Sequence, residues 1–122
     1  MLDEEEDFDT GKALQLYVDM VPVLVIGPDY RRSTQKHGQI LETFLTMNKV
    51  PFAKGRVGAS KDDVPLPIGD RYRLVGAGLA SIDSDRIELS DSSFGYNLSP
   101  DENHAREITA LLGNRIVEIK GR

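Results

Sequence analysis

The chain contains no cysteine. This absence excludes disulfide bonds, thiolate nucleophiles and metal sites that depend on cysteine ligands. The sequence also lacks a run of about eighteen apolar residues, the length that crosses a membrane, and it lacks the pattern of a secretory signal peptide. From these absences we expect a cytoplasmic protein that does not enter a membrane.

Basic residues are not in excess, because 15 lysines and arginines stand against 20 aspartates and glutamates, a formal net charge of −5. Nucleic acids and anionic membranes are bound by positively charged surfaces, so the composition predicts neither kind of partner. Much of the acidity lies in LDEEEDFD (2–9), and we expect residues 1–10 to form an acidic, disordered tail. The length of 122 residues then suits a single domain, residues 11–122.

The run VPVLVIG (21–27) is apolar and β-branched, which predicts a buried strand. Pro22 is tolerated in such a strand near its start or on a sheet edge. The preceding stretch KALQLYVDM (12–20) fits a short helix or a strand, and its periodicity does not decide between them.

A helix is predicted after this strand, with Ser33 as its N-cap. Its apolar residues recur at helical spacing: Ile40, Leu41, Phe44 and Leu45. Residues 51–70 come next and have no clear pattern. FAKGRV (52–57) is compatible with a strand, and the remainder, with its prolines and adjacent aspartates, predicts a long inserted loop.

The stretch GAGLAS (76–81) raises the question of a nucleotide-binding loop. A dinucleotide fingerprint needs a helix directly after its glycines. Here RYRLV (71–75) leads in as a strand, turn residues follow at 83–85, and RIEL (86–89) alternates as a second strand. The glycines are therefore predicted to lie in one arm of a β-hairpin, and no dinucleotide site is expected.

The last part of the chain predicts a capped helix and a final strand. In SPDE (99–102) the serine fits the N-cap, the proline the first helical position and the glutamate the third, which together make a capping box. Gly113 ends this helix, and RIVEIK (115–120) alternates as a strand. The predicted core is strand-helix-strand-strand-helix-strand, an α+β fold with a mixed β-sheet and two packed helices in one small domain.

His37 is the first candidate for chemistry. It lies three and four residues before Ile40 and Leu41, on the sheet-facing side of the first turn of the helix. Free amides and the helix dipole there attract an anion and keep a histidine neutral, available as a base or a nucleophile. A half-buried packing role is the alternative. Arg31 and Arg32, just ahead of the helix, could screen a phosphate or lie exposed to solvent.

His104 shares a face of the second helix with Ile108 and Leu111, which favours a structural role, with support of a site as the alternative. No two potential ligands have the spacing of a metal site, so neither a metal nor another cofactor is expected. The loop SDSSFGYN (90–97) offers hydroxyls and turn-forming backbone. It fits an anion-binding nest or a plain polar loop.

Taken in order, QKHGQIL, GAGLASIDSDRIEL, SFGYN and NHARE resemble the small protein phosphohistidine phosphatases, the janus/ocnus family. The resemblance covers roughly residues 21–50 and 71–120. It implies that His37 acts on a phosphoryl group as base or nucleophile without a metal, and that His104 takes the place of a second, supporting histidine. The positions that it implies for phosphate binding are Gly38, Gln39, Ser93, Gly95 and Arg31.

The chain differs from the family at one position, and the resemblance also gives a role to the glycines of the hairpin. The family carries a lysine on its first strand, whereas the strand predicted at 21–27 has no basic residue. The two glycines at 76 and 78 would let the hairpin backbone pass close beneath the site.

Three functions follow as hypotheses. The first is a metal-independent phosphatase or phosphoryl-transfer protein whose partner is a phosphorylated protein or a small phosphoramidate. The second is a module of the same fold that binds phosphate or a phosphoprotein without catalysis. The third is an assembly protein that contacts other subunits through its acidic N-terminus and the loop at 51–70; the oligomeric state does not follow from the sequence.

Overall fold

The computed structural model describes residues 9–29, 35–57, 62–93 and 96–120. The strands are β1 (Asp9–Val18), β2 (Val21–Asp29), β3 (Phe52–Gly55), β4 (Val64–Pro67), β5 (Tyr72–Ile82), β6 (Arg86–Ser90) and β7 (Ile116–Ile119). The helices are α1 (His37–Met47), which follows β2, and α2 (Glu102–Leu112), which joins β6 to β7. No helix in these ranges is long and apolar enough to cross a membrane.

Five strands form one sheet in the order β2-β1-β5-β6-β7. The first three pairings are antiparallel, and β6 and β7 are parallel because α2 carries the chain back to the start of β6. This mixed sheet with two packed helices confirms the predicted α+β fold. The predicted hairpin is also present, as β5 and β6.

The stretch whose structure the sequence left open, 12–20, belongs mostly to β1, the second strand of the sheet. The strand also includes Asp9 and Thr10 from the predicted tail. It turns into β2 through Asp19 and Met20, both with positive φ (50° and 71°), as a two-residue hairpin requires. Pro22 lies near the start of β2, an edge strand, where a missing amide is tolerated.

Side chains alternate across the sheet, so β1 contributes to two apolar clusters on opposite faces. On the face covered by α1, here called the α1 face, the cluster consists of Leu14, Leu16, Ile40, Leu41, Leu45, Val50, Tyr72 and Ala77. On the face covered by α2, here called the α2 face, the cluster consists of Ala13, Ala80, Ile87, Leu89, Ala105, Ile108, Val117 and Ile119. Each fully buried leucine among them contributes about 1.5–3 kcal/mol to folding, so these clusters hold both helices against the sheet.

Both predicted helix starts are wrong by a few residues. The N-cap of α1 is Lys36 rather than Ser33, which lies outside the described residues. The N-cap of α2 is Asp101, whose Oδ1 accepts from the amide of His104 at 2.8 Å, and not Ser99. Ser99 is used differently, because its carbonyl accepts from the amide of Ala77 in β5 at 3.4 Å.

The end of α2 is as predicted, since the helix stops at Leu112 and Gly113 follows with a φ of 76°. The apolar face of α2 is shorter than predicted. Ile108 is buried, but Leu111 is 62% exposed.

The predicted long loop at 51–70 is wrong in part. Residues Phe52–Gly55 and Val64–Pro67 pair as an antiparallel hairpin, β3–β4, which forms a separate two-stranded sheet. The two prolines of β4 are compatible with this, because a two-stranded sheet consists of edges. The hairpin packs on the start of α1 and thereby becomes a neighbour of His37.

Candidate functional site

His37 is the first residue of α1 and is 8% exposed. Its Nε2 lies 2.8 Å from the carbonyl oxygen of Gly78 in β5. A carbonyl only accepts, so Nε2 carries the hydrogen and donates it. In the neutral ring the lone pair is then on Nδ1, for which the described residues provide no hydrogen-bond partner.

Burial lowers the pKa of His37 below its ordinary value of 6.5, and the nearby ammonium of Lys12 lowers the pKa further. The hydrogen bond to Gly78 acts in the opposite direction, but it does not outweigh burial. The ring is therefore neutral near pH 7, the state that a base or a nucleophile needs.

Lys12 is the basic residue that sequence reasoning missed. It lies on β1, opposite Leu79 of β5 in register, and alternation places it on the α1 face with Leu14. Its Nζ donates to the carbonyl oxygen of Gln35 at 2.8 Å, next to the start of α1. The lysine that the family carries on its first strand was expected at 21–27. Lys12 was not predicted in this role because the sequence did not decide whether 12–20 is a strand.

Gly38 and Gln39 complete the first turn of α1, where backbone amides have no partner within the helix. Gly38 is buried, and a Cβ there would lie 2.7 Å from Cγ1 of Val64 in β4. Gln39 is exposed, and its Oε1 accepts from the amide of Lys36 at 2.8 Å. The hairpin β3–β4 thus rests directly on the turn that carries His37.

Ser93 is 3% exposed and closes a turn with Leu98. The amide of Ser93 donates to the carbonyl of Leu98 at 2.8 Å, and the reverse bond is 3.3 Å. The Ser93 hydroxyl accepts from the amide of Tyr96 at 3.3 Å. The hydroxyl therefore already supports its own turn, and its hydrogen remains available to donate.

The pair Ser93 and Leu98 is linked to the start of α1 through Tyr96 and β4. The hydroxyl of Tyr96 donates to the carbonyl of Pro65 at 3.4 Å, and Pro65 and Val64 both adjoin Gly38. The structure thus brings Ser93 to the same side of the sheet as His37. The two other predicted phosphate positions, Arg31 and Gly95, lie outside the described residues.

His104 is on the opposite side of the sheet. It is fully buried, and its Nε2 donates to the carbonyl of Leu16 at 2.9 Å. Its ring meets that of Tyr17 edge to face, with centroids 5.1 Å apart. The two predicted site histidines are therefore not brought together, and the geometry of His104 is that of a packed, hydrogen-bonded residue of the α2 layer.

The two glycines of GAGLAS make room on the α2 face. A Cβ on Gly76 would collide with the side-chain oxygen of Gln15 and lie 2.9 Å from the amide of Asp101. A Cβ on Gly78 would collide with the carbonyl of Ser90. The close approach is thus between β5 and the segment that starts α2, while the carbonyl of Gly78 reaches His37.

Acid is expected to destabilise the protein before its carboxylates titrate. Burial lowers the pKa of both His37 and His104 below 6.5, so the folded protein resists protons that the unfolded chain takes up. Stability is complete above about pH 6.5 and is lost as the pH falls toward the lowered values. We expect the free energy of unfolding to fall by about 1–2 kcal/mol between pH 7 and pH 5.5.

Urea unfolding at a series of pH values measures this effect. The variant His37→Ala retains one of the two histidines and is expected to show about half the pH dependence. An unfolding free energy that stays constant over this range would contradict the prediction.

No family model matches this chain, and no curated protein matches it in sequence. In the described parts of the chain, no three histidine, aspartate or glutamate side chains form a group that could hold a metal ion. The candidate site is therefore defined by its own geometry: a neutral histidine at a helix start, a lysine beside it, and a serine turn on the same side of the sheet.

Proposed function

We propose that the protein is a metal-independent phosphatase or phosphoryl-transfer protein that acts on phosphohistidine or a related phosphoramidate. The observation that carries the proposal is the state of His37. One ring nitrogen is tied to Gly78 and the ring is neutral, so its basic nitrogen is free at the start of α1. The resemblance to the phosphohistidine phosphatases supports the same assignment.

The surroundings of His37 suit a phosphoryl group. The ammonium of Lys12 supplies a positive charge, and the first amides of α1 supply donors and the positive end of the helix dipole. Ser93 can add a hydroxyl donor from the turn on the same side. These groups would hold phosphate oxygens while the phosphorus faces the histidine.

Two reaction courses are open to His37. As a general base, Nδ1 takes a proton from water while the water oxygen bonds to phosphorus; the phosphorus–nitrogen bond breaks and the leaving nitrogen takes up a proton. As a nucleophile, Nδ1 itself bonds to phosphorus while the phosphorus–nitrogen bond of the substrate breaks and the leaving nitrogen takes up a proton; water then bonds to phosphorus and phosphate leaves the ring. Both courses use the same nitrogen.

A module that binds phosphate or a phosphoprotein without catalysis is the second candidate. It is favoured by the residue opposite Lys12, which is the apolar Leu79, so this pair of residues offers one positive charge. A single cation beside helix amides can hold a phosphate, but it neutralises little of the charge that develops during phosphoryl transfer.

Phosphorus NMR of the wild-type protein distinguishes the two candidates. Phosphoramidate and inorganic phosphate are added separately, with the urea-unfolded chain as control. Growth of the inorganic phosphate signal from phosphoramidate is the result expected of the phosphatase. Broadening of the phosphate signal without turnover would favour the module. If neither turnover nor broadening is observed, both candidates are rejected. The search would then turn toward protein partners of the β3–β4 hairpin and the acidic N-terminus.

A further inference from the structure

Gln15 is a polar residue in the middle of β1 that is only 1% exposed. Both polar atoms of its side-chain amide make hydrogen bonds. Nε2 donates to the carbonyl of Asp101 at 2.9 Å, and Oε1 accepts from the amide of the same residue at 2.7 Å. One side chain thus makes a two-point connection from the sheet to the backbone that precedes α2.

The sequence around Gln15 makes room for this connection. Gly76 lies opposite Gln15 in register, and a Cβ there would occupy the place of the Gln15 side-chain oxygen. His104 stands on the other side, with its Nδ1 3.4 Å from Nε2 of Gln15. Since Nε2 of His104 donates to Leu16, Nδ1 is an acceptor and faces the second amide hydrogen of Gln15.

The anchored backbone is continuous with the Ser93 turn. The segment from Ser99 to Asp101 runs along β5, where the carbonyl of Ser99 accepts from Ala77. Upstream, the turn is closed by the pair of bonds between Ser93 and Leu98. Gln15 therefore fixes one end of a short chain segment whose other end carries a predicted phosphate contact.

The same stretch of β5 also holds the histidine. Residues 76–78 contact the Ser99–Asp101 segment on the α2 side, while the carbonyl of Gly78 accepts from His37. A shift of this stretch would move the ring of His37, since the ring has its only hydrogen bond within the described residues there.

We propose that Gln15 is a positioning residue of the candidate site, although it lies on the far side of the sheet from His37. It sets the place of the Ser93 turn through Asp101 and the place of the Gly78 carbonyl through the packing of β5. The catalytic part of this assignment rests on the proposed function, whereas the structural part does not.

The test compares Gln15→Leu with Val117→Ala. Val117 is buried in β7 on the α2 face, the same face as Gln15. Its truncation therefore lowers global stability without removing the hydrogen bonds between Gln15 and Asp101. Amide hydrogen exchange is measured at Ser93 and Leu98, and the ring nitrogen shifts of His37 are measured by NMR. Phosphoramidate turnover is followed in the same samples.

Loss of two hydrogen bonds is expected to speed exchange at Ser93 and Leu98 about tenfold in Gln15→Leu and not in Val117→Ala. The nitrogen shifts of His37 should move in Gln15→Leu alone. Turnover should fall roughly tenfold to a hundredfold through kcat, because the reacting groups are displaced rather than lost. If Gln15→Leu does not fold, Gln15→Met, an unbranched side chain of similar length that also lacks both hydrogen bonds, should show the same changes.

Each outcome decides one statement. Exchange and nitrogen shifts that match those of Val117→Ala would overturn the positioning role even if the protein is a phosphatase. Changed exchange and shifts with no hydrolysis in the wild type would retain the positioning role and reject the proposed reaction. Changed exchange with unaltered kcat would overturn the link from the anchor to catalysis.

Discussion

Substitution of His37 by alanine is expected to lower the hydrolysis of phosphoramidate by about two to four orders of magnitude. In the proposed reaction the ring supplies the nitrogen that accepts a proton or attacks phosphorus, and alanine provides no such group. Binding of inorganic phosphate should weaken much less, because Lys12 and the first amides of α1 remain. The measurement is phosphorus NMR of turnover and of phosphate line width in the same samples.

The matched control is Thr43→Ala, an exposed position one turn and a half further along α1, whose hydroxyl donates to the carbonyl of Gln39. Its turnover should equal that of the wild type. In the wild type, kcat/KM should fall only below pH 6.5, since burial lowers the pKa of His37 and the proposed reaction uses the neutral ring. Turnover that survives His37→Ala would reject the assignment of His37.

Substitution of Gly76 by alanine is expected to lower the free energy of unfolding by about 2–4 kcal/mol. The new methyl group would overlap the side-chain oxygen of Gln15 and crowd the amide of Asp101. Gln15 is buried and bonded at both amide atoms, so it has no alternative position that keeps its partners. Urea unfolding with circular dichroism measures the change.

Gly55→Ala is the matched control, because a Cβ there meets only the flexible end of Leu66 in the β3–β4 hairpin. Its effect should stay within about 1 kcal/mol. A cycle with Gln15→Ala adds a second check. The two substitutions should be less than additive, since the first already removes the bonds that the second would break. Equal effects at Gly76 and Gly55 would contradict the close packing described for β5.

Local patterns in the sequence predicted most of the sheet. The hairpin β5–β6, strand β2, strand β7 and the end of α2 at Gly113 follow from alternation, β-branched runs and a glycine stop. Strand β1 was ambiguous because it is buried on both faces, and a strand without alternation in polarity resembles a short helix. Strand β3 lies within FAKGRV, which was compatible with a strand, but its partner β4 was not predicted because the prolines and the preceding aspartates are typical of loops.

The residues of the candidate site likewise fall into those that local sequence patterns predicted and those that depend on strand pairing. His37 was predicted from its place near a helix start, whereas the position of Ser93 on the same side of the sheet depends on the pairing of distant strands, which no local pattern contains. Lys12 and Gln15 lie on β1, and the roles proposed for them depend on the register of β1 against β5. The expectation that the glycines lie beneath a site was incomplete, because the space they leave is filled by Gln15 and by the start of α2.

The parallel pairing of β6 with β7 has a consequence for the order of folding. The connection between them is α2, and the hydroxyl of Thr109 in α2 bonds to the amide of Val117 in β7 at 2.8 Å. The end of the sheet therefore closes only when helix and last strand dock together, across a longer chain separation than either neighbouring hairpin requires. On refolding, the hairpins β1–β2 and β5–β6 can form early, whereas the amides of β7 and of the β1–β5 pairing, which spans a still longer chain separation, should be protected later.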